Sequence, residues 1–275
     1  MTGDGNPYTV PGRDLRMSAF EGAVLDLDGT VYRGDEALPG APEAISRLRD
    51  RGIRTLFFSN NPTKDRKAYA ERLTGFGIET APEAVVSAGT VTTEYLADEH
   101  DDDTVFLIGD EGLEAQFEAA DVDLVDDATA ADVLVVSWTS EFGYGDLLAG
   151  YRAIDAGATF YGTDPDRLIP AAEGMVPGSG AIVNAVAGTA KREPERVLGK
   201  PSEEAQRTAL DALGVPPEAC LVVGDRLNTD IALGERAGMT TVLVRTGVTT
   251  DADLAESDVQ PDHVIDSLAD IDGVL

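Results

Sequence analysis

The chain has 275 residues, 43% of them hydrophobic, with 51 Asp and Glu against 21 Lys and Arg for a formal net charge of −30. That balance excludes a basic face for nucleic acid, because phosphate contacts need clustered Lys and Arg, and no apolar run is long enough to span a bilayer. The hydrophobic share and the clear periodicities argue for a folded protein with a heavily acidic surface, as in cytoplasmic proteins of halophiles, rather than for disorder.

The single cysteine, Cys220, rules out an internal disulfide framework and fits a reducing cytoplasm. Flanked by Ala219 and Leu221, it reads as a core residue. With only His100 and His263 beside it, a dedicated zinc cluster is not expected. No N-terminal segment has the make-up of a secretory signal, so secretion is not expected either.

Residues 1–18 carry three Gly and two Pro without apolar periodicity and read as a flexible tail. From Ala23 onward, strand-like and helix-like segments alternate, the mark of a parallel sheet with crossover helices. The apolar run Ala23-Val24-Leu25 ends in Asp26-Leu27-Asp28-Gly29-Thr30, two carboxylates at i and i+2 followed by a glycine that permits a sharp turn. Alone, this reads equally as an ordinary Asp-Gly turn. If it closes a buried parallel strand, it stands where open α/β sheets place their ligands.

Ala41, Ile45 and Leu48 then mark a helix stopped by Gly52. A second strand, Thr55–Phe58, runs into Ser59-Asn60-Asn61-Pro62-Thr63. A helix with Tyr69, Ala70, Leu73 and Phe76 on one face follows. Residues 83–178 read as a separate α/β unit, with strands at Val105–Ile108, Val133–Ser137 and Thr159–Tyr161 and a loop-rich end from Gly162 to Gly180. Beyond it, Gly199-Lys200-Pro201 opens a helix, with Pro201 suited to its first turn. Strand Cys220–Gly224 ends at Asp225, Asp230 starts the next helix, and strand Thr241–Val244 and a short strand–helix over His263–Leu268 complete the sheet.

Four edges thus carry polar chemistry: Asp26 with Asp28, Ser59-Asn60-Asn61, Lys200, and Asp225 with Asp230. Lys200 stands out because the chain has only Lys64, Lys67 and Lys191 besides. Taken singly, each edge has a plainer reading: a helix-capping turn for Ser59–Asn61, a solvated lysine, and a helix-start acid pair for Asp225 and Asp230. In order and spacing, however, the set resembles the four motifs of the haloacid dehalogenase-like phosphatases. Asp-Gly-Thr-Val-Tyr-Arg-Gly, Ser-Asn-Asn-Pro-Thr, Gly-Lys-Pro-Ser and Gly-Asp-Arg-Leu-Asn-Thr-Asp narrow the resemblance to their NagD-like, p-nitrophenylphosphatase-type branch.

The resemblance implies a Rossmann-like, doubly wound parallel core over residues 19–82 and 179–275, with an inserted α/β cap of type IIA over 83–178. It implies Asp26 as nucleophile and Asp28 as general acid and base, with Ser59, the amides of Asn60 and Asn61, and Lys200 on the phosphate. So many carboxylates around a phosphate dianion call for a hard divalent cation. Mg²⁺ is expected on Asp26, the Asp28 carbonyl and Asp225, with Asp230 behind them.

The cap would close over the site, with contacts in Thr163–Asp166, Trp138, Phe142 and Tyr144. Relatives often carry Asn where this chain has Asp164, an added acid that would disfavour anionic leaving groups. The implied activity is hydrolysis of a small phosphorylated metabolite, a sugar, glycerol or glycolate phosphate or a nucleotide. No nucleic acid or membrane partner is implied, and a homo-oligomer is compatible. A phosphotransferase using the same intermediate and a catalytically silent binding module are the alternatives; a haloalkanoate dehalogenase fits the acids less well.

The charge alone generates a first test. Salt screens self-repulsion among surface acids, so raising KCl from about 0.1 M to about 2 M should lift the thermal midpoint by about 4 °C or more. A scanning-calorimetry series in KCl measures it; a flat or falling midpoint contradicts the acidic-surface reading.

Overall fold

The computed structural model describes residues 20–171 and 174–275. The tail expected over 1–18 lies outside them. The first half of the core comprises β1 (Gly22–Leu25), the short hairpin β2 (Tyr32–Arg33) and β3 (Glu36–Ala37), α1 (Ala41–Asp50), β4 (Arg54–Ser59), α2 (Arg66–Gly75), β5 (Val85–Ser87) and α3 (Ala88–Glu99). Next come β6 (Thr104–Ile108), α4 (Glu111–Ala119), β7 (Asp123–Leu124), β8 (Val133–Val136), α5 (Tyr144–Ala156), β9 (Thr159–Gly162), the strands β10 (Leu168–Ala171) and β11 (Gly174–Pro177), α6 (Ser179–Ala190) and β12 (Arg196–Val197). The chain finishes with α7 (Glu203–Leu213), β13 (Cys220–Gly224), α8 (Ala232–Ala237), β14 (Thr240–Val244), α9 (Asp251–Glu256) and β15 (His263–Ile265).

Six strands form one sheet in the order β15-β14-β13-β1-β4-β5, every neighbouring pair parallel. β1 is buried throughout, as a strand covered on both faces must be. Its side chains alternate between two clusters: Ala23 and Leu25 join Phe57, Leu221 and Val223 under α1 and α2, while Val24 joins Leu56, Phe58 and Val222 under α7. The chain leaves β1 toward β4 on one side and returns through β13 on the other. That makes β1 the reversal point, where a doubly wound sheet opens a crevice at its C-terminal edge.

A second parallel sheet, β12-β9-β8-β6-β7, forms the cap. Its membership differs from the expected boundaries at both ends. β5 lies within the expected 83–178 unit but pairs with β4 in the core sheet, Phe57 opposite Val85. At the other end, α6 was expected to return the chain to the core. Instead its Ile182, Val183 and Val186 pack with Leu134, Val136 and Phe160 of the cap strands, and β12 pairs with β9. Loop composition marked where the chain turns, but the partner of an apolar face is a tertiary fact.

The segment expected as loop between Gly162 and Gly180 contains an antiparallel hairpin, Ile169 opposite Val176. The glycines of Gly178-Ser179-Gly180 have a packing reason: a Cβ on Gly178 would overlap the Asp166 carbonyl, and one on Gly180 would overlap that of Pro165. The loop carrying Asp164 and Asp166 is pressed against the start of α6.

Candidate active site

Asp26, Ser59 and Asp225 stand at the C-terminal ends of three adjacent strands, β1, β4 and β13. Into the space between them comes Lys200, from the segment joining the cap to α7. Its ammonium donates to Asp26 Oδ1 at 2.7 Å, Asp230 Oδ1 at 2.5 Å and the Phe58 carbonyl at 2.8 Å, which uses all three protons. Burial opposes its charge, but Asp230 and then Asp26 outweigh burial and raise its pKa.

Asn60 fixes Lys200 from outside. Its Oδ1 accepts from the Lys200 N–H at 2.8 Å and its Nδ2 donates to the Lys200 carbonyl at 3.2 Å. Sequence reading gave Asn60 only a phosphate-facing backbone amide and missed this clamp.

The other side of the ring is acidic. Carboxylate oxygens of Asp26, Asp225 and Asp230 lie within 4.8 Å of one another, a donor set suited to a hard cation. Asp225 fits only because two neighbours lack side chains. A Cβ on Gly29, whose φ is +88°, would lie 2.7 Å from Asp225 Oδ2, and one on Gly247 would overlap that oxygen outright. Val248 N–H holds the same oxygen at 2.8 Å. Asp230 lies in a π-helical turn, Leu227–Ile231, ahead of the expected helix. Its second oxygen accepts from the Arg226 N–H at 3.1 Å, so both its oxygens are engaged within the protein.

Ionisation follows this crowding. Burial, then Asp230, push the Asp225 carboxyl up to about 7. Asp26 is raised by burial and by Asp230 and Asp225, against the pull of Lys200. A divalent cation among these oxygens would reverse that push. Asp28 is raised by burial, with Arg72 the foremost charge drawing it back. A carboxyl shifted upward is suited to holding and releasing a proton.

Ser59 and Asn61 depart from expectation in one respect. The helix expected to follow directly starts only at Arg66, with Asp65 as its cap. The loop is instead braced from within: Asn61 N–H donates to Ser59 Oγ at 3.1 Å, Asn61 Oδ1 accepts from Thr63 N–H at 3.0 Å, and the Tyr69 hydroxyl donates to the Asn61 carbonyl at 2.9 Å. Pro201 likewise precedes α7, which Ser202 caps.

The expected site residues, Asp230 excepted, all line a cavity of about 730 Å³ between the sheet edge and the cap. The cap contributes Trp138, Asp164, Asp166, Ile169 and Pro170. Of the other expected cap contacts, Phe142 packs in the cap core and Tyr144 is 80% exposed. Asp164 is committed internally: it accepts from Asp166 N–H at 3.1 Å and Thr163 Oγ1 at 3.2 Å, and burial with the neighbouring Asp166 pushes its carboxyl up to about 7. Asp166 reaches across to Arg226 Nη1 at 3.3 Å. Arg33 and Arg72 also line the cavity, and sequence reading singled out neither. Asn228 is exposed and is not among the residues lining the cavity, though its neighbour Thr229 is.

A parallel sheet with carboxylates at adjacent strand ends, a buried lysine bonded to two acids and a third acid close by matches the class that the four motifs resemble. Sequence comparison agrees with it. The model of the haloacid dehalogenase-like hydrolases matches residues 23–123, and a second HAD-hydrolase-like model matches 197–271. The chain is 34% identical to the 5'-nucleotidase YutF of Bacillus subtilis, over 92% of this chain and 98% of that protein. To an acid sugar phosphatase of Staphylococcus haemolyticus it is also 34% identical, over 90% and 93%. Among solved structures, a p-nitrophenyl phosphatase from Archaeoglobus fulgidus superposes with a TM-score of 0.87 at 35% identity, covering 93% of this chain and 99% of that one. The chain belongs to the haloacid dehalogenase-like hydrolases, among their NagD-like, p-nitrophenylphosphatase-type phosphatases.

Two outcomes follow for stability. Lys200→Met leaves the Asp26 and Asp230 carboxylates facing each other without a counter-charge, and breaking such a buried arrangement costs about 3–5 kcal/mol. Denaturant titration should show that loss at neutral pH, and a much smaller one in acid.

Asp164 gives the opposite pH sign. Unfolded it ionises near 3.8, whereas folded it keeps its proton to about 7, so between those values the folded chain binds more protons. Stability contributed by this group therefore falls as pH rises across that window, by on the order of a few kcal/mol. Asp164→Asn should gain on the wild type steadily from pH about 4 to about 7, read from paired melts; a pH-independent difference contradicts this.

Proposed function

We propose that this enzyme hydrolyses small phosphate monoesters in two steps, through a phosphoryl group carried on Asp26. The observation that carries the reading is the Lys200 ammonium bonded to both Asp26 and Asp230 at the sheet edge, with Asp28 beside them at the same cavity. A carboxylate held so firmly has a fixed attack direction, and a barrier that must fall by roughly 20 kcal/mol needs that positioning.

In the first step an Asp26 oxygen bonds to phosphorus as the ester P–O bond breaks, and Asp28 gives its proton to the departing oxygen. In the second, water attacks phosphorus, Asp28 takes its proton, and the bond to Asp26 breaks to release phosphate. Ser59 and the Asn61 N–H, exchanging their mutual hydrogen bond for phosphoryl oxygens, would hold the group in transit. The donor set fits Mg²⁺, with Asp26, the Asp28 carbonyl and Asp225 as ligands; bound there, it would neutralise charge on the transferring phosphoryl group. Asp230 then acts through Lys200 and the Arg226 backbone.

The names of the relatives, a 5'-nucleotidase and an acid sugar phosphatase, support nucleotides and sugar phosphates as the first compounds to try. The single buried Cys220 supports a reducing cytoplasm as the enzyme's location.

The test is release of inorganic phosphate from a panel of monoesters in high KCl, with and without Mg²⁺. Turnover should require the cation, and Asp26→Asn should lower it by at least about 10⁴-fold. Cation-independent turnover, or an Asp26→Asn variant as active as wild type, contradicts the reading.

A further inference from the structure

Four cationic side chains line the cavity, and they divide into two kinds. Lys200 is neutralised by buried Asp26 and Asp230, and Arg226 by buried Asp166. Arg33 makes no ion pair among the described residues; Arg72 has one, with Asp35, 3.6 Å away and fully exposed, where solvent screens it, and it acts on Asp28 without forming an ion pair. In a chain with 51 acids, two arginines at a cavity wall with no ion pair to a buried acid among the described residues leave room for a ligand to supply one.

Both are held in place before any ligand arrives. The Arg72 guanidinium lies 4.3 Å from the Tyr32 ring centroid and 5.9 Å from that of Phe76, and donates to the Gly34 carbonyl. Arg33, on β2, donates to the Thr246 carbonyl. Each keeps further N–H donors, and a planar fork fixed in this way suits a carboxylate or phosphate. Their position is set by Tyr32, whose backbone bridges to Asp28. Arg72 is also the foremost charge acting on the Asp28 carboxyl. They therefore stand beside the group that protonates the departing oxygen.

The opposite wall does not cancel them. Asp164 is bonded within its own loop and Asp166 is paired, while Trp138, Ile169 and Pro170 are uncharged.

We infer that Arg33 and Arg72 form an anion subsite for the leaving group, so that favoured substrates carry a carboxylate or a second phosphate beyond the ester that is cleaved. This deepens the phosphatase reading and rests on it.

Matched pairs test it in the Mg²⁺-loaded enzyme: 2-phosphoglycolate against 2-hydroxyethyl phosphate, and 1,3-propanediol bisphosphate against its monophosphate. The wild type should favour the anionic member of at least one pair by about ten-fold or more in kcat/KM, and which pair shows it tells carboxylate from phosphate. Arg72→Gln should cut that preference ratio about ten- to hundred-fold, Arg72→Lys less, and Arg33→Gln in the same direction. Arg33 is exposed, so its variant carries the test should Arg72→Gln fold poorly. Steering of the phosphate alone would lower both members together and leave the ratio unchanged; that result, or a wild type without preference, overturns the subsite. Turnover of p-nitrophenyl phosphate separates the two levels: with it, a missing preference sinks only the subsite; without release from any ester, the phosphatase reading fails as well.

Discussion

Lys200 is the charge on which the remainder of the site depends. Asp26, Asp225 and Asp230 are buried within a few ångströms of each other, an arrangement that their mutual repulsion and lost hydration would otherwise forbid. One ammonium, itself 1% exposed, makes it tolerable by bonding two of them and a strand carbonyl at once. It cannot neutralise three acids. Asp225 keeps a pKa pushed up to about 7, and the remaining deficit of positive charge leaves a donor set suited to a hard cation.

The fold's contribution is to deliver these groups from distant parts of the chain. Asp26 and Lys200 are separated by 174 positions, yet they meet because β1 lies between β4 and β13 and the cap returns the chain at their shared edge. Asn60 converts that return into a fixed geometry by gripping the backbone of Lys200 on both sides. The absence of a side chain at Gly29 and Gly247 then lets Asp225 approach from β13. The strand order and two glycines thus do as much for the chemistry as the acids themselves.

Polar residues at the ends of apolar runs were legible in the sequence as a set, since each alone has a plainer reading and only their order and spacing set them apart. Asp26, Asp28, Ser59 and Asp225 fall in that group, and Lys200 was legible through the scarcity of lysine. What could not be read depends on contact. β5 and α6 have apolar faces that fit either sheet, so their assignment awaited their partners, Phe57 and Leu134 respectively. Arg72 lies on a helix whose apolar positions were plain, but nothing in its spacing says that Tyr32 and Phe76 would hold its guanidinium at a cavity wall. Asp164 is a like case: its type was visible, whereas its hydrogen bonds to its own loop were not.

A molecule with a net charge of −30 that takes an anionic substrate faces an electrostatic contradiction. At low ionic strength the summed field of the surface opposes the approach of a phosphate dianion. At molar salt the screening length shrinks to about 3 Å, and charges beyond the first contact cease to matter. What the substrate meets is then set by the cavity wall alone, where Arg33 and Arg72 make no ion pair with a buried acid among the described residues and Asp166 is paired with Arg226. The acidic exterior and the two cavity arginines are compatible because salt separates their ranges: the one governs solubility and folding, the other the encounter at contact distance.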